Sequence, residues 1–277
     1  MDLSITTDYV TSLGSPEQYL RDIAAAGFTH IHWCHQWNTD FLYSRPEIDQ
    51  IARWLDEVGL RLLDLHGSAG VEKCWYSRVE YERLAGVELV ANRLEMTARL
   101  GGGVVIMHIP TAPEQPEEAS IYWGVLRRSL DALTPVSRAT GVRIAIENGG
   151  RGHMATITRV LSEYDGDYVG LCYDCGHGNT AGEGLDYLER LKDRLISVHL
   201  HDNDGTADQH KPMFTGTVDW GRLARIMAAS SYDKPVSQEL SIRLSGLDEP
   251  GLLAQALRDG QRLTAMIAAH RGAPRNG

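Results

Sequence analysis

Val142-Arg143-Ile144-Ala145-Ile146-Glu147-Asn148 is a short, mostly aliphatic run that stops on a carboxylate. Downstream, Tyr168-Val169-Gly170-Leu171-Cys172-Tyr173 runs into Asp174, and Leu195-Ile196-Ser197-Val198 runs into His199. Upstream, Leu62-Leu63-Asp64-Leu65 runs into His66, and Val104-Val105-Ile106-Met107 into His108. Near the end, Val236-Ser237-Gln238 runs into Glu239. Such near-continuous apolarity is the mark of strands covered on both faces. With 3–8 and 28–33 there are eight strand candidates, the others being 60–66, 104–108, 142–147, 168–174, 195–201 and 235–240.

The segments between them carry helical periodicity. Ser15-Pro16-Glu17-Gln18 reads as an N-cap, a proline in the first turn and a Gln three residues on. Tyr19, Leu20, Ile23 and Ala24 then form a buried stripe, and Ile48, Ile51, Ala52, Leu55 and Val58 form a second. Gly27, Gly59, Gly101 and Gly141 stand where helices should stop. Leu252, Leu253, Ala256, Leu257, Leu263 and Ile267 mark a closing helix. Eight βα units in 277 residues predict a single (β/α)8 TIM barrel rather than an open doubly wound sheet. One domain is expected over 1–270, then a flexible tail over 271–277. The long stretch 73–100 predicts an extra loop or helix at the active face.

Composition removes several function classes. The net charge is −10, with 27 basic and 37 acidic residues, and there are four lysines. Such a chain repels polyanions on average, so neither nucleic acid nor a membrane surface is an expected partner. No apolar run approaches the roughly 20 residues of a membrane span, and the first residues do not resemble a signal peptide. Cys34, Cys74, Cys172 and Cys175 are too scattered for a disulfide scaffold. The Cys172–Cys175 pair has no second CxxC to complete a zinc site, so buried thiols and a cytoplasmic location are the expectation.

In a barrel, the C-terminal strand ends converge on one face, where such enzymes place their chemistry. His66, His108, Glu147, Asp174, His199 and Glu239 would meet there. A lone strand-end His is more often a hydrogen-bonded structural residue than a ligand. Together these residues are hard and borderline ligands for divalent metals. His177, three residues after Asp174, and the loop pair Asp208 and His210 extend the set. Without a cation, four carboxylates at one mouth would repel one another.

His32-Trp33-Cys34-His35-Gln36-Trp37 ends the second strand candidate. His32, Trp33, His35 and Trp37 read as sugar-stacking and hydroxyl contacts, and equally as a packed loop. Trp75 and Trp123 either wall the pocket or pack helices. Lys211 and Arg151 are candidate anion contacts with surface exposure as the default. His201 is read as alternating with His199, so the two are expected not to point inward together. Alternation does not say which of the two is the ligand; resemblance to a His-Leu-x-Asp pattern implies His199, and His201 is kept as a substrate contact.

Ile146-Glu147-Asn148, Asp174-Cys175-Gly176-His177, His199-Leu200-His201-Asp202-Asn203-Asp204 and the late Glu239 together resemble the xylose-isomerase-like barrels. That group includes sugar epimerases, hydroxypyruvate isomerases, inosose dehydratases and endonuclease IV, and the resemblance spans essentially the whole chain. Resemblance to the ketose epimerases implies one ion held by Glu147, Asp174, His199 and Glu239. It also implies that Glu147 and Glu239 shuttle a proton and that His177 touches substrate. Those epimerases place an Arg six residues after the strand-seven His, and here that place is Gly205. Resemblance to endonuclease IV implies three zinc ions. His66, His108 and Glu147 would hold one; Glu147, Asp174, His199 and Glu239 the second; His177, Asp208 and His210 the third.

The expectation is a divalent-metal-dependent isomerase or epimerase acting on a sugar, keto sugar or polyol by proton abstraction next to a carbonyl. The catalytic residues would be Glu147, Glu239 and His177. Mn2+ or Zn2+ would be the cofactor, with Mg2+ and Co2+ also suited and room for more than one ion. An endonuclease IV-like phosphodiesterase and a keto-sugar or inosose lyase or dehydratase are the alternatives. A homo-oligomer is compatible with the sequence.

Overall fold

A computed structural model describes residues 2–10 and 15–272. Its eight strands are β1 (Leu3–Thr6), β2 (His30–Trp33), β3 (Arg61–His66), β4 (Val104–Met107), β5 (Arg143–Glu147), β6 (Val169–Asp174), β7 (Leu195–His199) and β8 (Val236–Gln238). All pair in parallel in the order β7-β6-β5-β4-β3-β2-β1-β8. The Leu200 N–H donates to the Ser237 carbonyl at 3.1 Å and the Glu239 N–H to the Leu200 carbonyl at 3.2 Å, which closes the TIM barrel.

The outer ring is α1 (Glu17–Ala26), α2 (Arg45–Val58), α3 (Glu80–Arg99), α4 (Pro116–Thr140), α5 (His153–Glu163), α6 (Cys175–Ala181), α7 (Gly184–Leu191), α8 (Trp220–Ala229) and α9 (Glu249–Gly272). The expected stripes face the sheet, with Leu20, Ile23, Ile48, Ile51 and Leu55 buried. Gly27, Gly59, Gly101 and Gly141 take φ of +102°, +72°, +80° and +71°, the left-handed region that stops a helix at little cost to glycine.

Two boundary expectations change. Ser15 is not a reciprocal cap: Pro16 is already helical, the Ser15 hydroxyl accepts from Glu17 N–H at 3.4 Å, and Gln18 bonds Asp22 instead. The capping box lies on α2, where the Glu47 carboxylate accepts from Ser44 N–H at 2.7 Å. The closing helix runs to Gly272, into the stretch expected to be a tail, because its apolar stripe still reaches Ile267. Residues 273–277 lie outside the described residues. Stretch 73–100 holds a loop and the single helix α3. All four cysteines are free; Cys34, Cys172 and Cys175 are buried as expected, whereas Cys74 is half-buried.

Gly86 sits where α3 presses on the incoming chain. A Cβ there would lie 2.2 Å from the Trp75 nitrogen and 2.4 Å from the Cys74 carbonyl carbon, neither of which can rotate away. Helix propensity alone would make Gly86→Ala stabilising by about 1 kcal/mol. Overpacking against backbone costs about 1–3 kcal/mol and opposes it. Gly86→Ala is therefore expected to be less stable than wild type by urea unfolding, and an unchanged or higher midpoint would show that α3 can shift.

The barrel interior is more polar than the usual packing of Val, Ile and Leu. Ser4, Thr6, His32, Asp64, Ser197 and Ser237 are all buried. The Ser197 hydroxyl on β7 bonds Asp64 on β3, two strands that are not neighbours, so the bond crosses the interior. A small apolar cluster of Val104, Ile106, Ala145, Cys172 and Ile196 stands apart from the main core, which lies between sheet and helices.

Candidate metal centre

Strand geometry carries the charged groups to one end of the barrel. His66, Glu147, Asp174 and His199 are the last residues of their strands, and His108 and Glu239 each follow one by a single residue. One donor atom from each of Glu147, Asp174, His199 and Glu239 lies within 4.8 Å of the others, a spacing that an ion can bridge. The same holds for His66, His108 and Glu147.

Glu147 is the hub. Its Oε2 lies 2.9 Å from His108 Nε2 and 3.5 Å from His66 Nε2. Its Oε1 lies 3.2 Å from His199 Nδ1 and 3.5 Å from His177 Nδ1. Glu239 Oε2 approaches the same His199 Nδ1 at 2.9 Å, so one imidazole nitrogen is flanked by two carboxylates. Burial raises both carboxyls, but the His199 charge outweighs it and holds Glu147 and Glu239 well below the usual range. Burial likewise opposes the His199 imidazolium, and Cys172, Glu239 and Glu147 overcome it, so His199 is raised.

Asp174 is fixed from two sides. The Asn148 amide donates to the Asp174 carbonyl at 2.9 Å and accepts from its N–H at 2.8 Å, clasping β5 to β6. The Asp174 carboxylate caps α6 by accepting from His177 N–H at 2.6 Å. That cap starts the helix that swings His177 over the mouth, where its Nε2 meets Asp208 Oδ2 at 3.2 Å. His210 reaches the same oxygen at 2.9 Å. Burial works against both imidazolium charges, but the carboxylates prevail and lift His177 to about 11 and His210 to about 10. His210 has a φ of +45°, unusual for a side chain this large, and its Nδ1 is tied to the Glu239 carbonyl at 2.9 Å.

The loop carrying Asp208 and His210 is braced by Asp202. Its carboxylate accepts from Trp220 Nε1 at 2.8 Å and Val218 N–H at 3.1 Å, and its backbone pairs with Lys211. Lys211 is partly buried, and among the described residues its ammonium makes no ion pair with a carboxylate. Arg151 is exposed.

The expectation for His201 is overturned. Residues two apart on a strand share a face, and His201 follows His199 inward. Its Nε2 lies 3.1 Å from Asp174 Oδ2, and its ring stacks on His210 at 4.1 Å. Gly176 in the Asp-Cys-Gly-His motif makes room for it, since a Cβ there would lie 2.0 Å from His201 Cε1.

The second strand end divides. Trp37 reaches the mouth, 4.6 Å from the His66 ring and 6.0 Å from His108. Trp33 does not: it is a core residue whose Nε1 donates to the Tyr43 hydroxyl at 3.2 Å. His35 is half-buried, and its ring lies beside Trp33 rather than against the donor cluster. Trp75 and Trp123 are buried under the helices and do not wall the mouth. His32, read with its neighbours as a sugar contact or a packed loop, is instead fully buried with its ring 4.5 Å from His199. Its signal was a histidine in the middle of a buried strand.

Residues 20–262 match the xylose isomerase-like TIM barrel family model. The chain belongs to that family. A curated relative within reach is the uncharacterised protein y4fM of Sinorhizobium fredii, 31% identical over 90% of this chain and 88% of its own. An L-ribulose 3-epimerase structure superposes with a TM-score of 0.77 at 17% identity, covering 100% of both chains. The IolI protein, solved with a zinc atom, superposes with a TM-score of 0.72 at 17% identity, over 99% of this chain and 100% of its own. At 17% identity the two solved structures show a shared barrel fold. Among the described residues no helix is long and apolar enough to cross a membrane.

Proposed function

We propose that this family member is a divalent-metal-dependent isomerase or epimerase that acts on a sugar, keto sugar or polyol by moving a proton next to a carbonyl. The observation that carries the reading is His199 Nδ1 set between Glu239 at 2.9 Å and Glu147 at 3.2 Å. The donor set fits an ion, since three carboxylates converge on the buried His199 ring and Nδ1, though close to two of them, makes no aligned hydrogen bond to either. Glu147, Asp174, His199 and Glu239 would hold it, and Mn2+ or Zn2+ suits such mixed oxygen and nitrogen donors. When bound, the ion would polarise the substrate carbonyl and acidify the adjoining carbon.

Glu147 and Glu239 are held ionised, so each is ready to accept a proton but is a weak base. One takes the α-proton and the other returns it. His177 stands over the mouth to bond a substrate hydroxyl, and Trp37 offers an apolar face for the sugar ring. Sugar epimerases among structures of this barrel support the substrate class, and a location in the cytoplasm accords with the free thiols.

A second reading, hydrolysis of a phosphodiester by an ion cluster, draws on two further donor groups. These are His66, His108 and Glu147 on one flank, and the Asp208 carboxylate between His177 and His210 on the other. The charge of −10 weighs against a nucleic-acid partner. A lyase or dehydratase would share the first proton abstraction and then expel a hydroxyl.

The metal-loaded chain incubated with ketoses, 3-keto sugars and inososes in D2O is expected to place deuterium on the carbon that changes configuration. Nicking of an abasic duplex, with no exchange into any sugar of the panel, would replace the first reading by the second.

A further inference from the structure

Beneath His199 lies a pair of side chains that the proposed proton transfer leaves unused. His32 on β2 and Asp64 on β3 are both buried, and His32 Nδ1 lies 2.8 Å from Asp64 Oδ1. The other Asp64 oxygen accepts from the Ser197 hydroxyl. A carboxylate at Nδ1 keeps the imidazole proton there, so His32 Nε2 carries a lone pair. That Nε2 is buried and has no hydrogen-bond partner.

His199 presents the complementary need. Its Nδ1 faces Glu147 and Glu239, so Nδ1 is the atom an ion would take. The proton of the neutral ring then sits on Nε2, which is also buried and unpartnered. The two rings pack with centroids 4.5 Å apart, and a nitrogen of one lies within 4.8 Å of a nitrogen of the other. A buried donor and a buried acceptor on touching rings are each costly to leave unmade.

We infer that Asp64 and His32 form a positioning relay that holds His199 in its metal-ligating tautomer, with His32 Nε2 accepting from His199 Nε2–H. Asp64 fixes the orientation of His32, and His32 fixes that of His199. Partners behind a ligating histidine set its tautomer and raise its basicity. The inference rests on reading the site as a metal centre. It gives His32 no contact with substrate.

The test is calorimetric titration of the metal-free full chain with Mn2+ and with Zn2+, alongside its thermal midpoint. His32→Leu keeps bulk but removes the acceptor, and is expected to weaken binding about 10- to 100-fold. His32→Gln retains a carbonyl acceptor and is expected to stay within about 3-fold of wild type, a rescue that a packing role would not give. Wild-type binding matched by His32→Leu would overturn the inference alone. Wild type taking up neither ion would overturn the metal reading as well. Long-range proton–nitrogen NMR of the Zn2+-loaded wild type needs no variant. It should show the proton on Nδ1 of His32 and on Nε2 of His199. A proton on Nε2 of His32, or a metal-shifted His32 nitrogen, would sink the relay.

Discussion

Glu239→Gln is expected to lower kcat by about 10^3-fold or more while leaving the barrel folded and metal still bound. Positioned acid–base groups contribute about 10^2–10^4-fold, and glutamine keeps the volume and one oxygen donor but cannot carry the proton. Glu239 is the cleaner of the two glutamates to test. Its carboxylate has one close imidazole partner, His199, and the side chain keeps 14% exposure at the mouth, where substrate would enter. Glu147 meets His66, His108, His177 and His199. Glu147→Gln should therefore lose metal as well as turnover, and its rate loss would not isolate the proton transfer. The comparison is steady-state rate against metal content for each variant. Glu239→Gln turning over near the wild-type rate would place the proton carrier elsewhere, with His177 the next group over the mouth.

The fold was legible because its signal repeats. Eight apolar runs alternating with helix-period stretches, four of them stopped by glycine, leave little choice of architecture. The donor cluster was legible for a related reason: a barrel brings strand ends together whatever lies between them, so Glu147, Asp174 and His199 could be gathered from residues far apart in the chain. Side-chain direction was less accessible. His201 was kept only as a substrate contact, and its sharing a face with His199 was missed through a mistaken reading of strand alternation, although that shared face was available from the sequence. Trp33 and Trp37 look equivalent in sequence, but only Trp37 lies beyond the end of β2, where the chain leaves the sheet and turns over the mouth. His32 shows the opposite limit. A histidine inside a barrel needs a buried partner, and nothing local to His32 points to Asp64, thirty-two residues away on the next strand.

Removing metal should abolish turnover and destabilise the chain, and the size of the second effect should grow with pH. A ligand that binds only the folded form adds about 2.7 kcal/mol at 100 times its dissociation constant. For a chain this long that is roughly 5–10 °C in Tm. The metal-free chain has its own pH dependence. His177 and His210 are lifted to about 11 and about 10 from 6.5. Their pairing with Asp208 and its neighbours stabilises the fold fully below pH 6.5 and is lost as pH rises through those higher values. Glu147 and Glu239 are depressed from 4.5, so their contribution is present above that value and is lost on acidification. The metal-free chain should thus be most stable between about pH 4.5 and 6.5. An ion acts in the opposite sense. The carboxylates around His199 raise it in the metal-free site, so an ion taking that nitrogen competes with a proton there. Affinity then climbs by about one log unit per pH unit for each proton released. Between pH 6 and 8.5 the Tm gap between metal-loaded and chelator-treated protein should widen, and binding enthalpies at neutral pH should vary with the ionisation heat of the buffer. A gap that stays constant or narrows, with buffer-independent enthalpies, would mean that the imidazoles at this mouth are not the groups an ion displaces.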